Sequence, residues 1–317
     1  MMTVLTRRLV SSLTSIVLLT MLVFWVSELT PGGPAYTILG MHATEGAVTS
    51  LNASLGLDRP FIVQYSQWWG NLVQGNLGYS FIQHQTVLNV LGQYLGNTFA
   101  LDIISFVLAI VLSIGIGMLQ GAFAGTWISR TISMLQFFFY AMPIFWLGLI
   151  LIYVFSIELN WLPGSGSQNL AEQNFDLGSY VQHLILPVTT LTLVFVSFFS
   201  RYMGIAARLE FRQAYVTVAA AKGAGAWRIA ARHVLRNAVR PLITQVGLFL
   251  PWIFAGGVVI ESVFNFPGLG YLLWQSALQR DYPVLTAIVL MIGTFTIIGN
   301  LLADLLIGFL DTRVRYA

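Results

Sequence analysis

Four carboxylates of this 317-residue chain, Glu28, Asp102, Glu158 and Asp304, stand within or beside strongly apolar segments. At the middle of a bilayer a carboxylate costs about 2.5–3.5 kcal/mol on insertion scales, so each is a candidate for function. All four fall near the ends of their segments, within reach of interfacial water, with Asp102 about one helical turn inside. There it either makes a structural hydrogen bond or lines a water-filled path. His42, His84, His183 and His233 are scattered without a metal-binding spacing such as His-x-x-Glu-His, and read as interfacial residues rather than ligands. The absence of cysteine excludes disulfides, thiolate metal sites, haem attachment and a cysteine nucleophile together. No Gly-x4-Gly-Lys-Ser/Thr run is present to cradle a nucleotide phosphate. Nor do the apolar segments hold paired carboxylates, or a serine with a base, at mid-bilayer depth. The chain therefore reads as a non-enzyme that binds no metal or cofactor, and any energy it uses comes from another subunit.

The elements that must hold these residues follow from hydropathy. Hydrophobic residues make up 57% of the chain and charged residues 9%, where soluble domains carry about 25% charged; mean hydropathy is +0.78. This is a membrane composition. Runs of roughly 20 apolar residues, enough to cross the hydrocarbon core as helices, extend over 9–29, 98–120, 132–157, 184–200, 242–260 and 284–310. Six crossings put both termini on one side. With the amino terminus in the cytoplasm, all fifteen basic residues except Arg59 and Arg280 fall inside. That bias sets the orientation and accounts for the net charge of +3 without a nucleic-acid partner.

The expectation is an all-α polytopic membrane protein with one domain over 1–317. It comprises a first helix, retained in the mature protein, with an extracytoplasmic segment to residue 97, and a five-helix core over 98–310 that includes a basic cytoplasmic loop at 201–241. Tyr65, Trp68 and Trp69 mark an amphipathic helix at the outer interface, and a second short amphipathic helix follows the Pro267-Gly268 turn.

The basic loop carries the most regular pattern. Arg228, Arg232, Arg236 and Arg240 recur every four residues, a slowly rotating stripe on a helix, while Gly223 and Gly225 break the helix before it. The result is an alanine-rich helix over 213–222, a turn and a second helix: a compact knob without a core of its own. Its arginines either meet anionic headgroups, at about 1 kcal/mol each, or collar a contact with a soluble partner. A second pattern, Ser113, Gly117, Gly121 and Gly125, lets two helices approach closely, as fixed packing or as a contact that slides.

The loop "YVTVAAAKGAGAWRIAARHVLRNAVRP" closely resembles the cytoplasmic coupling loop of ABC-importer permeases of the dipeptide, oligopeptide and nickel branch. The resemblance is carried by Tyr215-Val216, Ala219-Ala220-Ala221-Lys222-Gly223, Arg232-His233, Arg236-Asn237-Ala238 and Pro241. It extends along the chain through Arg7-Arg8, Pro31 to Pro34, Leu55 to Tyr65, "GNLGYS" at 75–80, "FWLGLI" at 145–150, "HLILPVTTL" at 183–191, "ESVFNFPGLG" at 261–270, "RDYP" at 280–283 and Asp311 to Tyr316. Gly33 stands where the family usually has an acidic residue, Asn160 where it has glycine, and Thr217 where the wider superfamily often has glutamate.

The resemblance implies the type I ABC-importer transmembrane fold, in the cytoplasmic membrane of a prokaryote. It implies a permease subunit forming half of a translocation path for di- or oligopeptides delivered by an extracytoplasmic solute-binding protein. Its partners would be two ABC ATPase subunits, which use the ATP, and a homologous second permease. Relatives in the branch carry nickel chelates or oligosaccharides instead, and a passive channel is the reading of a different class. The resemblance further implies that Tyr215, Ala219, Ala221, Lys222, Gly223, Ala224, His233, Arg236 and Asn237 make up the ATPase-docking knob, with Lys222-Gly223 as its turn. Asp102 becomes a candidate for the substrate path, facing a peptide amine. Trp68-Trp69 and residues 261–283 are candidates for contact with the binding protein.

Overall fold

Proline and glycine stop some of the helices of this chain, at Gly56, Pro143 and Gly223. The computed structural model describes residues 2–28, 39, 44–56, 58–80, 82–168, 175–255 and 257–310. Pro31 to Pro34, His42 and Asp311 to Tyr316 lie outside them, as do the side chains of Arg7, Arg8, Glu28 and Asp304. The helices are α1 (Met2–Glu28), α2 (Glu45–Leu55), α3 (Phe61–Val73), α4 (Val87–Ala122), α5 (Trp127–Ala141), α6 (Ile144–Leu151), α7 (Leu177–Glu210), α8 (Ala214–Ala221), α9 (Ala226–Arg228), α10 (Leu235–Ala255), α11 (Val258–Val263), α12 (Leu269–Gln279) and α13 (Tyr282–Leu310). Helix α6 runs on as a π-helical stretch over Ile152–Glu158, and another, Ile229–Val234, joins α9 to α10. Two short antiparallel strands, β1 (Tyr79–Ser80) and β2 (Gln85–Thr86), pair Tyr79 with Thr86 ahead of α4.

Three described helices are long and apolar enough to cross a bilayer: α4, α7 and α13 over Tyr282–Ala303. The run at 132–157, expected as one span, is broken into α5 and α6 with its π-helical continuation, bent by 103° at their junction. Pro143 is the cause. It has no N–H to continue α5 and forces Met142 before it into extended backbone, ψ 130°. The chain restarts with Pro143 as the N-cap of α6, its carbonyl accepting from Trp146 and Leu147 N–H at 3.0 and 3.1 Å. In α7, by contrast, Pro187 sits inside a continuous 34-residue helix. Asp176 starts α7 by accepting the Gly178 and Ser179 N–H groups at 3.2 and 2.7 Å.

The described residues fall into two compact units. The first takes Met1–Thr98, Phe254–Val258 and Pro267–Leu301. Its core joins Val87, Val90 and Leu91 of α4 to Leu269 and Leu272 of α12 and Val284 and Ile288 of α13. Against α1, Phe24 meets Phe61, Tyr65 and Trp68 of α3 at ring-centroid distances of 5.4–5.6 Å, and the Thr20 and Tyr65 hydroxyls are 3.0 Å apart. So α3 packs one half-buried aromatic face on α1 and leaves Ile62 at 78% exposure on the other. The hairpin is fastened by Ser80 Oγ, which donates to Asp281 just ahead of α13.

The second unit takes Phe99–Ile253, Val259–Phe266 and Leu302–Ala317. Helix α7 is its centre, buried along most of its apolar length, whereas α4 leaves much of its surface uncovered by the described residues. Phe106 meets the rings of Phe195 and Phe199 edge-on, Phe249 meets Phe199 edge-on, Phe195 and Phe199 stack on each other, and Phe264, Phe266 and Leu242 fill the same core. Since lipid supplies no hydrophobic drive between helices, contact depends on close approach. At Gly117 a Cβ would lie 2.5 Å from Met203 Cβ and 2.9 Å from Gly204 N. At Gly121 it would lie 2.8 Å from Arg208 N. The α4 and α7 backbones touch only because these two positions have no side chain.

Candidate functional site

The alanine-rich segment folds as a helical hairpin. Gln213 is extended at φ −73° and ψ 148°, α8 runs Ala214–Ala221, and Lys222 caps it. Gly223 then takes φ +81°, the left-handed conformation that closes a helix C-terminus, with Ala224 N–H returning to Ala219 O at 3.1 Å and Gly223 N–H to Ala220 O at 2.9 Å. Gly225, extended, opens α9 and accepts from Ile229 N–H at 3.0 Å. Beyond it the π-helical stretch carries Arg232 and His233, and Arg228, Arg232, Arg236 and Arg240 all reach solvent.

Four polar groups clip the two arms together. Tyr215 Oη donates to Glu210 Oε2 at 2.6 Å, and Asn237 Nδ2 donates to His233 O at 3.3 Å and to Tyr215 Oη at 3.4 Å. Burial pushes the Tyr215 phenol above its ordinary pKa and Glu210 pushes it the same way, so the hydroxyl remains a donor at neutral pH. Ala219, Ile229, Val234 and Ala238 form the apolar seat beneath the clip. Helix α8 is only eight residues long, well under the roughly 12–15 at which isolated helices become even marginal, so its shape depends on this seat.

The expected docking residues thus divide by position. Tyr215, Ala219, Ala224, His233 and Asn237 are buried or half-buried and hold the hairpin's shape; Ala221, Lys222, Gly223 and Arg236 are on its surface. Two surface residues escape a reading by motif: Val218, 53% exposed on α8, and Trp227, 83% exposed at the start of α9. An indole displayed beside a glycine turn was the available signal, since tryptophan is among the residues enriched at interface hot spots.

The small-residue pattern also divides. Gly117 and Gly121 meet α7, while Ser113 is fully buried with its Oγ unpartnered among the described residues. Gly125 lies past the end of α4 at φ +90°, with nothing within 4 Å of a Cβ there, so it makes a turn and not a helix contact. Of the histidines, His183 is buried with Nδ1 2.8 Å from Ser179 O, and His84 takes φ +53° in the hairpin turn.

Asp102 is 6% exposed, and its Oδ2 has no hydrogen-bond partner among the described residues. Beside it stands a second carboxylate, Glu261 on α11, fully buried and close enough for the two charges to interact. Sequence reasoning placed Glu261 in an outer connection, because it follows directly on the expected span ending at residue 260.

Residues 113–316 match the family described as binding-protein-dependent transport system inner membrane component, and residues 1–102 match the N-terminal component of the same system. Among curated proteins the chain is 33% identical over 310 residues to a probable peptide ABC transporter permease, y4tP, of Sinorhizobium fredii. It is 35% identical over 311 residues to the oligopeptide transport system permease protein AppB of Bacillus subtilis. It is 30% identical over 327 residues to the dipeptide transport system permease protein DppB of Alkalihalophilus pseudofirmus; each of the three alignments covers 98% of both chains. In fold it is similar to a chain of the inward-facing MetNI methionine ABC transporter, with a TM-score of 0.56 and 17% identity over 71% of this chain and 97% of that one. Long apolar helices, a basic helical hairpin between them, and family matches that together span nearly the whole chain lead to one conclusion: this protein is a multi-pass permease of the binding-protein-dependent transport system inner membrane component family.

Proposed function

We propose that this chain forms half of the translocation path of an ATP-driven importer of di- or oligopeptides, and that the α8–α9 hairpin is the joint through which ATPase subunits move it. The observation that carries the reading is the hairpin's construction: a rigid knob clipped by Tyr215, Glu210 and Asn237, presenting Val218, Ala221, Lys222, Gly223 and Trp227 outward. Small and apolar residues on a held frame suit insertion into a cleft of a soluble partner, and the arginine collar suits its rim. The relatives named above as peptide, oligopeptide and dipeptide permeases support the substrate class.

Six crossings with both termini in the cytoplasm complete this reading, with α1, the α5–α6 pair and α10 as the remaining spans. Two ATPase subunits, a homologous second permease and an extracytoplasmic binding protein would assemble with the chain. It would bind no cofactor itself, ATP being consumed by the partners. ATP-driven closure of the ATPases would pull on the hairpin and rock the helices between outward-open and inward-open arrangements, a rigid-body gating motion.

The test is co-purification of candidate ATPase subunits with the intact chain and with an Ala221→Glu/Gly223→Glu variant in mild detergent, followed by uptake of labelled dipeptides and tripeptides. Docking predicts that the wild type retains an ATPase and the variant, still folded, loses it. Equal retention places docking elsewhere. Peptide flux that persists without any ATPase would make the chain a channel.

A further inference from the structure

Helices α4, α5 and α7 of the second unit enclose a cleft of about 340 Å³ lined by Gln120, Ser133, Gln136, Arg201, Gly204 and Arg208. Its floor is a polar network that satisfies itself. Gln136 Nε2 donates to Gln120 Oε1 at 3.1 Å and to Ser200 Oγ at 2.8 Å, and Gln120 Nε2 donates to Gln136 Oε1 at 3.2 Å and Ser133 Oγ at 2.9 Å. The Ser133 and Ser200 hydroxyls donate in turn to the carbonyls of Ser129 and Val196. Gln136 is 5% exposed, so this network is built into the helix packing. Gly204 leaves room for it: a Cβ there would collide with Gln120 Oε1.

With the two amides engaged, the charge on the wall belongs to Arg201 and Arg208. Each guanidinium carries five N–H donors, and neither has an ion-pair partner among the described residues. They are seven residues apart, about two turns of α7, and so share one face with Gly204 between them. Arg201 is held by Tyr140, its guanidinium carbon 5.6 Å from the ring centroid. The rim is apolar and open, with Phe137 69% and Ile205 62% exposed. Two guanidiniums on one face of α7, without an ion-pair partner among the described residues, call for an oxyanion, which they can bind bidentately. The apolar rim selects among oxyanions, since acyl chains would lie along it and a free carboxylate would not use it.

We infer that this cleft binds the phosphate group of an anionic phospholipid through Arg201 and Arg208. The leaflet, the cytoplasmic one, follows from the orientation in the proposed function; the chemistry does not depend on it. Basic pockets between membrane helices on the cytoplasmic side are suited to such headgroups.

The experiment takes the full-length chain, purified with the subunits that accompany it, in vesicles of phosphatidylcholine with or without phosphatidylglycerol. Native mass spectrometry and thermal melting then read lipid retention. The expected result is that phosphatidylglycerol stays bound and raises Tm by several degrees, while phosphatidylcholine, whose phosphate comes with a choline cation that the two guanidiniums repel, does not. Arg201→Gln/Arg208→Gln should retain at least tenfold less of it, and Arg201→Lys/Arg208→Lys, which keeps both charges, should restore part. Should the glutamine pair fail to fold, the contrast between the two lipids on the wild type decides. Equal retention of both lipids, or equal retention of phosphatidylglycerol by wild type and a folded glutamine pair, overturns the proposal. Displacement of the lipid by a dipeptide with a free carboxylate, and not by its amide, overturns it in favour of a substrate carboxylate. Lipid retention is read without transport, so its failure is distinct from a failure of peptide uptake.

Discussion

Ser80 and Asp281, 201 residues apart, meet in a buried hydrogen bond in which the serine hydroxyl is donated to Asp281 Oδ2. Ser80 is fully buried and Asp281 is 2% exposed. The serine also accepts the Gln83 N–H at 3.0 Å, and the aspartate accepts the Val284 N–H in the first turn of α13. One bond therefore fixes the β-hairpin ahead of α4 to the N-cap of the last long helix. The motifs "GNLGYS" and "RDYP" are the two halves of this latch.

Removing the serine hydroxyl should leave the Asp281 carboxyl with the Val284 N–H alone, and a buried acceptor deprived of a donor costs about 1–3 kcal/mol. Ser80→Ala is expected to lower Tm accordingly, while Asp281→Asn, able both to donate to Ser80 and to accept from Val284, should change stability by less. The pH dependence separates them further. Burial pushes the Asp281 carboxyl above the usual carboxylate range, with Ser80 and Val284 pulling it back only in part. A folded-state pKa raised above the unfolded one contributes stability present below the unfolded value and lost as pH rises through the folded value. Melting curves by tryptophan fluorescence should show that loss as pH rises above the ordinary carboxylate range in the wild type and not in Asp281→Asn.

Glycines on α4 offer a graded test of the α4–α7 contact. Gly117→Ala and Gly121→Ala each push a methyl into α7 and should cost about 1–3 kcal/mol as overpacking. Gly115 has nothing within 4 Å of a Cβ. Gly115→Ala should be neutral or stabilising by up to about 1 kcal/mol through helix propensity. Equal effects of the three on Tm would mean that the contact does not hold the helices together.

The hairpin predicts a split between shape and surface. Tyr215→Phe removes the donor to Glu210 and should lower stability by about 0.5–1.5 kcal/mol, weakening ATPase association as a consequence. Trp227→Ala touches only an exposed side chain and should leave Tm within error. If Trp227 is an interface anchor, its loss should weaken association about tenfold or more, the effect of removing 1.4 kcal/mol or above. Titration of an ATPase subunit onto the purified chain measures both, and a Trp227→Ala variant that binds like wild type removes that residue from the interface.

What could be read from sequence had a local cause. The glycines at 223 and 225 and the composition between Gln213 and Lys222 delimit α8 to within a residue at each end, since a left-handed C-terminus is written into the chain itself. Hydropathy located the long helices because transfer into lipid is a sum over neighbouring residues. That same sum is blind to direction: residues 132–157 are apolar throughout, and nothing in their hydropathy marks a 103° turn at Pro143. Pairings across large sequence separations leave no periodic trace. Ser80 with Asp281, Gln120 with Gln136 and Asp102 with Glu261 became visible only when the helices were placed.

Asp102 is where the sequence left two readings open, and its surroundings make them separable. A carboxylate kept for a structural hydrogen bond is destabilising to remove, by about 1–3 kcal/mol where a buried partner is left unsatisfied. Asp102 Oδ2, however, meets no such partner among the described residues, and its neighbour Glu261 is a second buried carboxyl group. Asp102→Asn should therefore relieve more than it breaks, leaving Tm unchanged or raised. If the carboxylate faces a peptide amine on the transport path, uptake of peptides with a free amino terminus should fall in the same variant, while N-acetylated peptides are affected less. A fall in Tm with no change in the preference for free amino termini would return Asp102 to a structural role.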